Sequence, residues 1–312
     1  VKIFVDGAVG TTGLEIGERL AGRPELELLT LPEARRKDPA ARGDALNAAD
    51  IVILCLPDDA AREAVTLLEG SSTKIIDAST AHRIAPGWAY GFPELEPGTT
   101  RQAIGASWRV ANPGCYPTGF LALVRPLVRA GLLPAETLLS VNATSGYSGG
   151  GKAMIAAFED PADPGATDTA FRTYGMNLGH KHVPEMMVHA GLVHPPIFQP
   201  AVAHAYRGMI VEVPLHLHAL PGAPKLADLR AALADAYAGS EIVRVIADAP
   251  PLLTLEQLAG TDRLDLFVYG DEKAGQARLV AALDNLGKGA AGAAVQNMNL
   301  MAGLPEAAGL RL

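Results

Sequence analysis

Apolar positions change their period along the chain, and the changes mark its elements. Residues 1–5 are mostly apolar and read as a strand that starts at once. Gly7, Gly10 and Gly13 follow, and then Leu14, Ile16, Leu20 and Ala21 recur at roughly helical spacing up to Gly22. Residues 25–31 read as a second strand, alternating at Leu26 and Leu28 before the pattern breaks at Leu29. Ile51-Val52-Ile53-Leu54-Cys55-Leu56 is apolar without interruption up to Pro57, which is how a strand buried on both faces reads. Asp58 is placed to cap a helix over residues 60–68. Residues 74–77 predict a fourth strand, and residues 102–106 one more. A strand, a glycine turn and a helix, followed by further strands and helices, predict an α/β chain that opens with a Rossmann-type dinucleotide-binding domain.

The second half has a different pattern. Residues 138–142 read as a strand. Met209, Val211, Val213, Leu215 and Leu217 alternate with Glu212, Pro214, His216 and His218, a strand with one wet face in which Pro214 favours an edge or a bulge. Leu226, Leu229, Leu233 and Tyr237 sit at helical spacing ahead of Gly239. Residues 264–269 and 277–283 flank a turn at residues 270–273 and predict a hairpin. Residues 287–301 are Ala-rich and helical in character despite Gly289 and Gly292. This half reads as a mixed sheet with helices, an α+β substrate domain.

Composition narrows the classes. The 312 residues suffice for two domains, and the 49% hydrophobic content is ample for a core. A net charge of −8 speaks against nonspecific binding to nucleic acid. The longest stretch without Asp, Glu, Lys or Arg, residues 186–206, holds Pro195, Pro196 and Pro200, so no membrane span is expected. Two cysteines, Cys55 and Cys115, make no disulfide framework, and with no signal peptide visible a reducing cytoplasm is the expected location.

Several stretches carry candidate chemistry. Gly7, Gly10, Thr11, Thr12 and Gly13 stand at the first strand–helix turn, where glycines let backbone approach a pyrophosphate and the helix N-terminus attracts it. Arg35, Arg36 and Lys37 follow the second strand. There a basic cluster suits a 2′-phosphate, hence NADP, and equally a solvated charge run. Ser79, past the end of the fourth strand, is a cofactor contact or an ordinary turn serine. Cys55 reads as structural. In Asn112-Pro113-Gly114-Cys115-Tyr116-Pro117-Thr118, Pro113 and Gly114 make a turn and Pro117 suits a first helical turn. Cys115 then feeds a helix N-terminus, where unpaired N–H groups and the helix dipole favour a thiolate, the form that attacks carbonyl carbon. A glycine loop, residues 145–152, can bind an anion through its backbone N–H groups, with Lys152 adding charge, or is a flexible loop. His180-Lys181-His182-Val183-Pro184-Glu185 offers an acid–base histidine oriented by Glu185, a zinc chelate, or a plain histidine pair.

Together these motifs resemble the N-acetyl-γ-glutamyl-phosphate reductases, in the short form of that arginine-biosynthesis enzyme. The resemblance covers most of the chain. It runs through residues 7–13, 55–58, 77–83, 91–95, 112–118, 146–152, 180–185, 207–209, 287–291 and 296–299. Phe120 departs from it, being bulkier than the small residue expected there, which bears on helix packing alone. The resemblance implies an NADP-binding domain over residues 1–113, a catalytic and dimerisation domain over 114–286, and a C-terminal helix, 287–312, returning to the first. It implies Cys115 as nucleophile on an acyl phosphate, a thioester reduced by NADPH, and His182 as proton relay tuned by Glu185, with His180 the lesser relay. It places Asn297 with Gly7, Gly10, Thr11, Thr12, Gly13, Arg35, Arg36 and Ser79 at the cofactor, and Ser148, Gly149 and Lys181 at the substrate. No resident metal is implied, and a homodimer or homotetramer is expected. Two other readings stay open: an aspartate-semialdehyde dehydrogenase with shifted specificity, and a non-catalytic NADP-binding sensor, which would need neither Cys115 nor His182.

Overall fold

The structure is a computed structural model and describes residues 1–36, 38–68 and 70–312. It divides into two compact units. The first comprises Val1–Pro93, Gly98–Gly114 and Ala290–Leu310, the second Glu94–Pro97, Cys115–Gly289 and Arg311–Leu312. The chain therefore crosses between units more often than boundaries at 113 and 286 imply. Ion pairs of Glu94 and Glu96 hold their segment to the second unit. Asp262 likewise holds Arg311, accepting its N–H at 2.9 Å.

In the first unit the strands β1 (Lys2–Asp6), β2 (Glu27–Leu29), β3 (Ile51–Leu54), β4 (Lys74–Asp77), β5 (Ala89–Tyr90) and β6 (Arg109–Ala111) pair in the order β2-β1-β3-β4-β6-β5. Every pairing is parallel. Helices α1 (Thr11–Leu20), α2 (Pro39–Ala48), α3 (Asp58–Leu67) and α4 (Thr100–Ala106) and the C-terminal helix Gly292–Ala302 cover it. The uninterrupted apolar run of β3 is explained by its two partners. Ile51 and Ile53 pack with Ile16 and Leu20 of α1 and Val295 and Met298 of the C-terminal helix. Val52 and Leu54 pack with Leu46 of α2 and Ala61 and Val65 of α3. This is the doubly wound arrangement expected of a Rossmann-type domain.

Two local expectations are corrected here. Residues 102–106 are helix α4, not a strand, because Ile104 alone of that run faces the core, beside the C-terminal helix. Short apolar runs do not separate the two periods. Asp58 is the first residue of α3 rather than its cap. Its carboxylate accepts the Thr80 N–H at 2.9 Å and the Thr80 hydroxyl instead.

The second unit is built on α5 (Cys115–Arg129) with α6 (Gly151–Glu159), α7 (Val183–Ala190) and α8 (Leu226–Ala236). Its strands are β7 (Ser140–Gly146), β8 (Phe171–Thr173), β9 (Ile197–Ala203), β10 (Met209–His216), β11 (Val243–Val245), β12 (Leu264–Asp271) and β13 (Gln276–Leu283). They form a mixed sheet in the order β11-β12-β13-β10-β7-β9-β8. β12 and β13 are the expected hairpin. β10 is central, yet Pro214 lies beyond its last β7 partner, Glu212↔Asn142, so the strand is edge-like where its N–H is missing. Helix α5 lies on this sheet. A Cβ at Gly119 would sit 2.8 Å from Val211 Cγ2, and Phe120 is fully buried, so the packing takes the larger side chain at that position. Among the described residues no helix is long and apolar enough to cross a membrane.

Candidate active site

Cys115 is the first residue of α5 and is partly exposed. Its turn therefore presents the thiol at the helix start itself, where the backbone N–H groups have no intrahelical partner. The following residue, Tyr116, joins it to the histidines. The Tyr116 ring lies 5.9 Å from the His182 ring and 6.2 Å from that of His180, and the two imidazoles are 4.7 Å apart. Phe198 of β9 supports both Tyr116 and His180 at 5.1 Å. The Tyr174 hydroxyl donates to that of Tyr116 at 3.2 Å, and Tyr116 donates to Ala201 O at 3.2 Å. Burial raises the pKa of both phenols; Tyr174 raises that of Tyr116 further, and the neighbouring Cys115 adds to both.

His182 is buried immediately before α7, and Glu185 is buried in its first turn. Pro184 at the helix start explains why the helix begins there. The His182 N–H donates to His180 Nδ1 at 3.1 Å. Burial, and then the charge of Lys181, lowers His180 to about 4. Lys181 itself is exposed. Among the described residues no three His, Cys, Asp or Glu side chains are grouped to hold a metal ion.

The glycine loop is a 3₁₀ turn, Tyr147–Gly150, running into α6. The N–H groups of Gly146, Tyr147 and Ser148 donate to the carbonyls of Gly208, Ala205 and Tyr206, which seats Ser148 against the β9–β10 connection that carries Arg207. Buried Ser148 Oγ accepts from Asn285 Nδ2 at 2.9 Å, while Gly149 is exposed. Sequence reasoning singled out neither Asp284 nor Asn285. Asp284 pairs with Arg207 at 3.1 Å and accepts the N–H of Gly260 and of Leu286. Burial nonetheless raises its pKa. In the sequence Gly289 reads only as a break in an Ala-rich helical stretch. A Cβ there would lie 2.9 Å from Cys115 Cβ and 3.0 Å from Asp284 O, so the chain passes against the thiol only as glycine.

In the first unit, Gly7 has φ +89°, and a Cβ on it would lie 2.3 Å from Cys55 O; one on Gly13 would lie 2.4 Å from Gly7 O. Helix α1 begins after Gly10 with no side-chain cap, leaving the N–H groups of Thr11, Thr12 and Gly13 for an anion. Thr11 Oγ1 is buried with no hydrogen-bond partner among the described residues. A cavity of about 900 Å³ opens there, lined by Gly7, Gly13, Leu31, Glu33, Arg36 and Arg42 among others. These features fit a dinucleotide pyrophosphate. Of the basic cluster, Arg36 lines the cavity, Arg35 pairs with Asp38 at 3.6 Å, and Lys37 lies outside the described residues. Arg42, which the sequence did not single out, lines it too and is paired with Asp6 at 2.8 Å. Ser79 closes a turn: its hydroxyl donates to Asp77 at 2.7 Å and accepts the Ala81 N–H. Asn297 donates to Gly91 O and Asn112 Oδ1, and its own Oδ1 is buried without a hydrogen-bond partner among the described residues. Burial and the carboxylates of Asp77 and Asp6 push Cys55 up to about 12, which leaves it an inert thiol.

Comparison with known proteins gives consistent findings. The family described as "Semialdehyde dehydrogenase, NAD binding domain" matches residues 2–103, and "Semialdehyde dehydrogenase, dimerisation domain" matches residues 115–285. The chain is 57% identical over 307 residues to N-acetyl-gamma-glutamyl-phosphate reductase of Brucella ovis, covering 97% of this chain and 99% of the relative. It is similar to the same degree to that of Brucella melitensis biotype 2. Among solved structures, aspartate semialdehyde dehydrogenase II of Vibrio cholerae, complexed with ASA, superposes with a TM-score of 0.70 at 16% identity, over 96% of this chain and 98% of that one. The Candida albicans aspartate semialdehyde dehydrogenase with NADP superposes with a TM-score of 0.63 at 15% identity, over 96% and 98%. At such identity these two likenesses speak for the fold alone.

Proposed function

The chain belongs to the N-acetyl-γ-glutamyl-phosphate reductase family of semialdehyde dehydrogenases, and from that premise we propose that it reduces N-acetyl-γ-glutamyl phosphate to N-acetyl-glutamate 5-semialdehyde and phosphate, in arginine biosynthesis. The observation that carries the reading is Cys115 at the first position of α5, next to a tyrosine whose ring meets His182.

His182 takes the thiol proton, and the α5 N-terminus stabilises the thiolate that remains. The Cys115 Sγ attacks the carbonyl carbon of the acyl phosphate. The carbon–oxygen bond to phosphate breaks, phosphate leaves, and a thioester remains on Cys115. The same N–H groups stabilise the oxyanion as it forms. When bound, NADPH supplies the hydride that reduces the thioester carbonyl. The carbon–sulfur bond then breaks, releasing the aldehyde and returning the thiolate, while His182 carries the proton and Glu185 orients it. Ser148, Gly149 and Lys181 are the proposed substrate contacts, and Arg207, held by Asp284, adds a cation for an anionic group.

The cofactor would be held by Gly7, Gly10, Thr11, Thr12 and Gly13, with Ser79 and Asn297 as further contacts. NADP rather than NAD is supported by Arg36 and Arg42 in the cavity. Arg35 is the less direct candidate, given its pairing with Asp38. A cytoplasmic homo-oligomer is proposed, a dimer or a tetramer, its support being the dimerisation-domain match of the second unit.

The test runs the reaction backwards. NADPH formation from NADP, phosphate and N-acetyl-glutamate semialdehyde is followed for wild type and Cys115→Ser. Activity that vanishes in the variant supports substrate and mechanism together. Activity with aspartate semialdehyde alone moves the specificity, and undiminished activity in Cys115→Ser sinks the mechanism.

A further inference from the structure

The four residues Glu94–Pro97 belong to the second unit, although the segments on either side belong to the first. Ionic ties hold them in two directions. Glu96 takes Arg125 and, at 3.1 Å, Arg129, both near the end of α5, and Arg129 also donates to Leu95 O at 3.0 Å. Glu94 takes Lys288 Nζ through both oxygens, at 2.8 and 3.1 Å, with each side chain 2% exposed. Lys288 lies in a π turn, Gly287–Ala291, beside the Gly289 that packs on Cys115. The Gly289 N–H spans back to Asp284 O at 3.0 Å, and the Asp284 side chain holds Arg207. So one short strap grips the nucleophile's helix at one end and the turn against the nucleophile at the other.

Stability does not account for this pair. A buried ion pair is often replaced by apolar residues of similar volume at no cost, whereas losing one partner is strongly destabilising. A π turn is itself uncommon and concentrates at functional sites. What the pair supplies is a fixed length between Glu94 and the turn, set by two hydrogen bonds that are short and directional. We infer that Glu94 and Lys288 are positioning residues for the nucleophile: they hold the Gly287–Ala291 turn against Cys115, and so hold the thiol at the helix N-terminus where it reacts. The inference rests on the reading of Cys115 as nucleophile.

The experiment uses the full chain and three variants: Lys288→Met, Glu94→Met with Lys288→Met, and Glu94→Asp. Thermal midpoints are measured. Cys115 alkylation by iodoacetamide is followed across a pH series, with Cys115→Ser giving the background from Cys55. Lys288→Met alone should lower the midpoint. The double variant should regain it, yet alkylate with a shifted pH profile and show kcat about tenfold lower, with KM little changed. Glu94→Asp keeps the charge, shortens the strap by one methylene and covers the case in which the neutral variants do not fold; its profile should shift as well. A double variant that regains stability together with the wild-type profile and kcat would overturn the inference, as would an unshifted profile in Glu94→Asp. If alkylation of Cys115 leaves wild-type activity intact, the nucleophile reading itself fails. If it abolishes activity and the variants match wild type, the positioning role alone fails.

Discussion

The His182 backbone N–H donates to His180 Nδ1, so the two imidazoles are not equivalent although they stand two residues apart. His180 has one nitrogen committed as an acceptor, and burial holds it near 4, so at neutral pH it is uncharged and a weak base. His182→Asn should therefore lower kcat by about 10²-fold or more, the scale of general acid–base catalysis, and His180→Asn by less than about tenfold. Steady-state rates of the two variants check this; equal losses would remove the distinction. The same shift sets a pH dependence of stability. The unfolded chain protonates His180 from about 6.5 downward, the native chain only from about 4, so between those values unfolding takes up a proton. Stability falls as pH falls through that window and is level below it. His180→Asn, which keeps an acceptor for the His182 N–H, removes this contribution, and its melting temperature should drop less than that of wild type between pH 6.5 and 4. The His-x-His spacing was readable in the sequence. What separates the two histidines was not, because it comes from Phe198 on β9 and from where α7 begins.

Helix α5 carries Pro126 in its interior, where the proline cannot donate to the carbonyl four residues back, that of Ala122. The Tyr237 hydroxyl, at the end of α8, donates to Ala122 O at 2.8 Å in its place. Burial pushes the Tyr237 pKa far up, so the hydroxyl keeps its proton and stays a donor. Tyr237→Phe should cost about 1–3 kcal/mol, the penalty for stranding a buried acceptor. Pro126→Ala in that background returns an N–H to the helix, so part of the loss should be recovered; urea denaturation of the single and double variants measures both. No recovery would mean that the hydroxyl acts by filling space. Pro117, suited to a first helical turn, announced the start of this helix. Its partner across the chain could not be read, since nothing local in Leu226, Leu229, Leu233 and Tyr237 says that the last of them faces a proline's missing bond. The misreading of residues 102–106 has the same origin: one buried isoleucine in a short run fits either period until its neighbour is known.

Two units with different sheets were legible because continuous apolar strands and an alternating one report different burial, on both faces in β3 and on one in β10. The glycine turn after β1 was legible for a related reason: its spacing follows from backbone contact, as the 2.3 and 2.4 Å approaches at Gly7 and Gly13 confirm. The route of the chain was harder, because Glu94–Pro97 changes unit through side chains whose partners are up to 194 residues away. The C-terminal helix shows what such distance implies for stability. Val295, Met298 and Met301 sit in one core cluster with Ile3, Ile53 and Ile76, from three strands at the other end of the chain. Lys74 closes the helix by donating to Met301 O at 2.7 Å, and Gly303 ends it in the left-handed region. Burying three such side chains is worth about 1.5–3 kcal/mol each, a sum comparable with the whole stability of a typical domain. A chain ending at residue 289 keeps every glycine of the first turn yet should lose the fold around it. Its cofactor binding, followed by quenching of protein fluorescence on titration with NADP, should be absent, and amide exchange in β1, β3 and β4 should be unprotected. Full binding by the shortened chain would show that α1–α4 and the sheet stand without the C-terminal helix, and that its buried face contributes little to the cofactor unit.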